Sequence, residues 1–88
     1  MEYFVYIVKC ADKTLYTGIT TDVARRIYEH NNLDSGAKYT AARRPVSLLI
    51  SERFPDRKSA AKREYEIKQM TREEKLQFIA AHIEASRA

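Results

Sequence analysis

The chain has 88 residues, 44% hydrophobic and 32% charged, enough for one small core and too few for a second independent one. Sixteen Lys and Arg against twelve Asp and Glu leave a net charge of +4 at pH 7, with six Tyr and three Phe, so a polyanionic partner is expected. A single cysteine, Cys10, excludes an intramolecular disulfide and a multi-cysteine zinc site. The longest apolar stretch near the N-terminus, Tyr3 to Val8, is too short for a membrane span and lacks the shape of a secretion signal. A soluble protein of the reducing cytoplasm, with no membrane among its partners, is the expectation.

Tyr3-Phe4-Val5-Tyr6-Ile7-Val8 is apolar on both alternating faces, the pattern of a strand covered on both sides and central in its sheet. Ala11 to Thr14 reads as a polar turn and Leu15 to Ile19 as the returning strand, a hairpin with a loop of four or five residues. Gly18 interrupts that strand, which signals a turn, a bulge or a close approach that a side chain would obstruct. Thr20, Thr21 or Asp22 caps a helix from about Val23 to His30, with Val23 and Ile27 in its apolar stripe beside Ala24 and Tyr28. Asn31 to Pro45 has no clear period and reads as a loop. Val46 to Ser51 forms a third strand, ended by Phe54-Pro55-Asp56. A second helix starts at Asp56 or Ser59 and reaches about Met70. Thr71 to Glu74 is a capping box opening a third helix, whose Leu76, Ile79, Ala80 and Ile83 fall on one buried stripe. The last few residues are expected to fray. The order β-β-α-β-α-α predicts an α+β domain with helices on a three-stranded sheet.

The charge is uneven. Between Ala37 and Arg63 lie Lys38, Arg43, Arg44, Arg53, Arg57, Lys58, Lys62 and Arg63 against only Glu52 and Asp56, and the remainder is mildly acidic. Such a middle segment suits a phosphate-facing surface, or equally a solvated helix and loop that maintain solubility. On the second helix Ala60, Glu64 and Ile67 follow i, i+4, i+7, which puts Glu64 on or beside the core-facing stripe. A carboxylate there wants a cation, a metal or a set of donors, and Lys68 one turn on offers an ordinary surface pair. Arg26 and His30 share a face of the first helix, where the macrodipole alone accounts for a histidine near the C-terminus. Tyr6 and Tyr16 stand ten positions apart and read singly as packed rings or as reactive groups. Cys10 reads as a thiol without function.

Together these residues resemble a known family. Phe4-Val5-Tyr6, nine residues, then Tyr16-Thr17-Gly18 resembles the paired motif of the GIY-YIG nuclease superfamily, with Phe4 in place of the first glycine. Arg26 follows Tyr16 by ten residues, where that family has an arginine, and His30 stands where it has a histidine or tyrosine. Ala60 to Lys68 resembles the family's glutamate helix, and Ser35 to Thr40 with Arg43-Arg44-Pro45 resembles its small stand-alone bacterial members. The resemblance covers about residues 3 to 80 of a single domain spanning 1–88. It implies a three-stranded antiparallel sheet flanked by helices, and a divalent-metal-dependent endonuclease cleaving DNA phosphodiester bonds, structure-selective or weakly specific, in DNA repair or recombination. By the same resemblance Tyr16 activates the attacking water, directly or through His30, and Tyr6 orients water or phosphate. Arg26 holds the scissile phosphate, and Glu64 binds one Mg²⁺ or Mn²⁺ ion. DNA, nicked or branched, would lie against Gly18, Lys38, Tyr39, Arg43, Arg44, Lys62 and Lys68, aided by a homodimer or a protein partner. A free tyrosine, with a pKa of about 10, is roughly one part in a thousand phenolate at neutral pH, so such a base needs a cation or a histidine beside it. Two other readings are open: a binding module without catalysis, and an adaptor docking through the Leu76 to Ile83 face and Phe78.

Overall fold

Alternation along one strand decides the architecture. In the computed structural model, which describes residues 1–87, the elements are β1 (Tyr3–Lys9), β2 (Leu15–Thr20), α1 (Val23–Asn32), α2 (Lys38–Ala41), β3 (Ser47–Phe54), α3 (Arg57–Lys68) and α4 (Arg72–Ser86). The sheet order is β2-β1-β3, antiparallel throughout, so β1 is central as its two-sided hydropathy predicts. Val5 and Ile7 point to one face, where they are buried with Ile50 of β3, Ala60 and Ile67 of α3 and Ile79 of α4. Tyr6 and Val8 point to the other, with Cys10 and Val46, under Tyr16 and Ile27. A strand covered on both faces cannot slip by one residue without exchanging both sets of contacts.

The helix starts follow local chemistry. Of the three residues able to cap α1, Asp22 does so, its Oδ1 accepting from the Arg25 N–H at 3.0 Å. Asp56 caps α3 through the Ser59 N–H at 2.7 Å. Thr71 and Glu74 form the reciprocal capping box of α4, and each such cap stabilises its helix by about 1 kcal/mol. The hairpin loop closes with Lys13 at φ +69°, while the Asp12 carboxylate accepts from both the amide and the hydroxyl of Thr14.

Three elements depart from the sequence reading. α2 lies inside the expected loop, a single turn without a side-chain cap; tertiary burial of Thr40 holds it, and four residues give no period to read. β3 continues to Phe54 because Phe54 and Arg53 pair with Tyr3 and Phe4. α4 is rotated from its expected stripe. Ile79 is buried, but Leu76 is 45% and Ile83 36% exposed, and Ala80 faces outward. Phe78 and His82 turn inward instead, because the Arg63 guanidinium lies over the Phe78 ring at 5.7 Å and His82 Nε2 reaches Glu52 at 4.0 Å. The expected frayed end is helical through Ser86, and its last position, Ala88, lies outside the described residues. Among the described residues no helix is long and apolar enough to cross a membrane.

Candidate active site

The site is built outward from Tyr6, which is 1% exposed on the central strand. Its cross-strand neighbour is Gly18. A Cβ at position 18 would stand 2.5 Å from the Tyr6 hydroxyl oxygen and 2.7 Å from Cζ. The glycine therefore exists for a close approach by the tyrosine ring, a different task from the DNA contact expected of it.

The Tyr6 hydroxyl meets His30 Nε2 at 2.7 Å, and His30 Nδ1 meets Thr40 Oγ1 at 2.8 Å. With the Thr40 hydroxyl proton assigned to the Ala37 carbonyl at 2.9 Å, Thr40 accepts from His30. Nδ1 thus carries the imidazole proton and Nε2 offers its lone pair to the Tyr6 O–H. His30 is wholly buried. Burial foremost, with the charges of Arg26 and Arg44 against Glu29, holds its pKa below 6.5, so the ring is neutral at pH 7. A neutral buried ring gains nothing from the helix dipole, which corrects that account of its position. The sequence reading has Tyr16 act directly or through His30; the structure hydrogen-bonds His30 to Tyr6 and packs it edge-on against Tyr16.

Burial is also the main reason the Tyr6 pKa lies above 10, with Tyr16 and Glu64 raising it further and Arg26 opposing them. The charges of Arg26, Tyr16 and Glu64 thus all bear on one hydroxyl. Arg26 Nη1 donates to Glu29 Oε1 at 2.8 Å and to the Ser35 carbonyl at 3.0 Å. The guanidinium also stands close enough to the Tyr6 hydroxyl to favour its ionised form, and a planar cation there suits a phosphate. Glu64 sits beside the Ala60–Ile67 stripe as expected, its side chain 22% exposed, and meets Lys68 Nζ at 3.3 Å. Both roles foreseen for it are geometrically compatible.

Tyr16 packs edge-on to His30, with centroids 5.3 Å apart, and stacks on Tyr39 at 6.0 Å. The Arg43 guanidinium lies 4.0 Å over the Tyr39 ring. These rings lead from the buried histidine to an open cleft of about 240 Å³ lined by Leu15, Tyr16, Thr17, Tyr39, Lys68 and Lys75.

The expected DNA-binding set does not stay together. Lys68 and Tyr39 line this cleft, whereas Lys62 lines a separate cavity of about 360 Å³ with Phe54, Ser59, Arg63 and Glu66. Arg44 caps the end of α1 by donating to the carbonyls of His30 and Leu33, both at 2.6 Å. Arg43 is tied to Asp12 at 3.0 Å and to the Tyr39 carbonyl at 2.8 Å, so it braces the ring stack. Lys38 is exposed on α2. Sequence reasoning missed Thr40 and Lys75; a threonine in an aperiodic loop and a lysine in an acidic helix give no pattern to find.

The donor set fits a hard divalent ion held by one carboxylate. Glu64 is partly exposed and its partner Lys68 half-exposed, and among the described residues no group of three or more His, Cys, Asp or Glu gathers, at Glu64 or elsewhere. Magnesium and manganese accept such sites because water and substrate phosphate complete the shell.

Residues 2–77 match the sequence pattern of the GIY-YIG catalytic domain. The chain is 57% identical over 79 residues to UPF0213 protein DP2720 of Desulfotalea psychrophila, covering 90% of this chain and 72% of that one. It is 54% identical over 78 residues to UPF0213 protein SERP0126 of Staphylococcus epidermidis, covering 89% and 94%. Its fold is similar to the solution structure of UPF0213 protein BH0048 from Bacillus halodurans, with TM-score 0.61, 43% identity and 92% and 85% of the two chains covered. For the solution structure of EF2693 from E. faecalis the values are 0.62, 36%, 94% and 88%.

Proposed function

On the premise that this chain belongs to the GIY-YIG catalytic-domain family, a nuclease superfamily, we propose that it is a divalent-metal-dependent endonuclease that hydrolyses DNA phosphodiester bonds. The observation that carries the reading is the buried Tyr6–His30–Thr40 hydrogen-bond chain, with the charges of Arg26 and Glu64 bearing on its hydroxyl. A phosphodiester brought beside the Tyr6 hydroxyl comes under the charge of Arg26, which offsets the charge gained as water adds to phosphorus. The Tyr6 oxygen takes a proton from the attacking water while the Tyr6 proton passes to His30 Nε2. Tyrosine stays neutral, the imidazole becomes imidazolium, hydroxide forms the new P–O bond, and the bond to the leaving oxygen breaks with its electron pair on that oxygen, which takes a proton from solvent before His30 returns its own. This relay avoids a free phenolate, which the raised Tyr6 pKa disfavours. Tyr16 walls the path between water and His30 and orients the nucleophile. One Mg²⁺ or Mn²⁺ ion held by Glu64 supplies neutralisation of phosphate charge when bound.

The small basic cleft suits recognition of backbone shape more than base edges, which favours nicked or branched DNA and a role in repair or recombination in the cytoplasm. The test is incubation with labelled linear, nicked, flapped and branched DNA in Mg²⁺, Mn²⁺ or EDTA. Cleavage that needs metal and falls by at least about 10²-fold in Glu64→Gln and Arg26→Ala is expected. Binding without cleavage, indifferent to EDTA and to Glu64→Gln, would replace the nuclease with a binding module.

A further inference from the structure

A second cleft of about 210 Å³ adjoins the first along the β2 edge. It is lined by Thr14, Leu15, Tyr39, Arg72 and Lys75, and shares Leu15, Tyr39 and Lys75 with its neighbour. The two form one groove in which cations from two helices converge, Lys68 from α3 and Arg72 and Lys75 from α4. We propose that this groove is a subsite for the phosphates of the strand flanking the scissile bond, with Lys75 and Arg72 as its contacts. The proposal rests on the nucleic-acid reading above and adds the direction in which the strand leaves the site.

The charges in the groove are unneutralised for identifiable reasons. Glu74, next to Lys75 in sequence, is turned away because its carboxylate accepts from the Thr71 amide at 2.7 Å in the capping box. Lys75 is half-buried, and among the described residues no carboxylate lies within 4.0 Å of it. Arg72 donates to the Lys13 carbonyl at 3.0 Å, a neutral acceptor that fixes the side chain without cancelling its charge. In the same groove the Thr17 hydroxyl is buried with no protein partner. The cavity of about 360 Å³ beside α3 shows the opposite balance: its Arg63 is paired with Glu52 at 3.0 Å and with Glu66 at 3.4 Å. Excess positive charge thus lies at the β2 edge, although α4 belongs to the acidic part of the chain.

The rings limit what can bind. Tyr16 stacks on Tyr39 and the Arg43 guanidinium covers it, so Tyr39 offers its edge to the groove rather than a free face for a base. The contact is therefore with phosphate and sugar, independent of sequence.

The test is fluorescence anisotropy of a labelled oligonucleotide in EDTA, titrated between low and physiological salt. Lys75→Gln and Arg72→Gln are each expected to weaken binding several-fold and to reduce the slope of log K against log salt by about one. Arg87→Ala, of equal charge change at the far end of α4, is expected to leave both unchanged, and thermal melts check that every variant folds. If wild type binds and the two groove variants keep its affinity and slope, or Arg87→Ala lowers them equally, the subsite is wrong while the nucleic-acid reading stands. If folded wild type binds no oligonucleotide at any salt, that reading fails and the subsite with it.

Discussion

The two faces of the sheet are held by different physics. Under α3 and α4 the contacts are Val5, Ile7, Ile50, Ala60, Ile67 and Ile79, apolar throughout, and shape and area set their contribution. Under α1 and α2 a tyrosine, a histidine and a threonine are buried in one hydrogen-bonded chain beside Val8, Cys10 and Val46. Groups of that kind are worth little while satisfied and costly once one partner is removed. The apolar face acts as a foundation and the polar face as an instrument. β1 serves both.

Four substitutions sharpen or break that contrast. The largest effect is expected from Ile67→Ala, which opens a cavity under the sheet and lowers stability to urea by about 2–5 kcal/mol, with pH dependence parallel to wild type. Next is Gly18→Ala, whose Cβ meets the Tyr6 ring and costs about 1–3 kcal/mol by overpacking while pushing the hydroxyl off His30. Shrinking the ring in a Gly18→Ala, Tyr6→Leu double variant should relieve the clash but leave His30 Nε2 without its donor, so stability stays below wild type and cleavage is not restored. Thr40→Val leaves the His30 Nδ1–H without an acceptor, at about 1–3 kcal/mol; Thr40→Ser keeps it. Nitrogen NMR of the His30 ring should report the Nδ1–H tautomer in wild type and Thr40→Ser, and a loss of Thr40→Val's preference for it. The smallest effect is expected from Leu76→Ser, within about 0.5 kcal/mol because the side chain is on the surface. A cost above 2 kcal/mol would restore the sequence-derived stripe of α4.

Acid separates the faces further. The folded-state pKa of His30 is below its ordinary 6.5, so on acidification the unfolded chain takes up the proton first. Its contribution is present above pH 6.5 and is lost as pH falls through 6.5 toward the folded value. Urea midpoints should therefore decline below about pH 6.5, less steeply in His30→Asn, whereas Ile67→Ala should leave the decline unaltered.

Much of this contrast is legible in the amino-acid order. Two-sided hydropathy places β1 at the centre, the i, i+4, i+7 spacing puts Glu64 at the margin of the core, and side-chain caps mark every long helix. What escapes is decided across distance. The orientation of α4 depends on Arg63 and Glu52, far away in sequence. The partner of His30 depends on which tyrosine the sheet register places beneath it. Thr40 acts from a single turn held by its burial and by hydrogen bonds to the Ala37 carbonyl. Charge density along the chain also misleads, because Arg43 and Arg44 brace the framework and Lys75 faces the groove from an acidic helix.

The position of Tyr6 has a consequence for motion. β1 is hydrogen-bonded on both edges and covered on both faces, so its amides should exchange with solvent only through global opening and be the slowest in the molecule. A reactive hydroxyl on that strand has no local breathing to bring it to a substrate. The adjustment of fit falls to the rim, to the single turn of α2 and the hairpin loop, where slow exchange is not expected. On the proposed reading, chemistry is anchored at the part that yields last and reach is delegated to the parts that yield first, so that a domain this small would hold its hydroxyl still while its rim adjusts to a substrate.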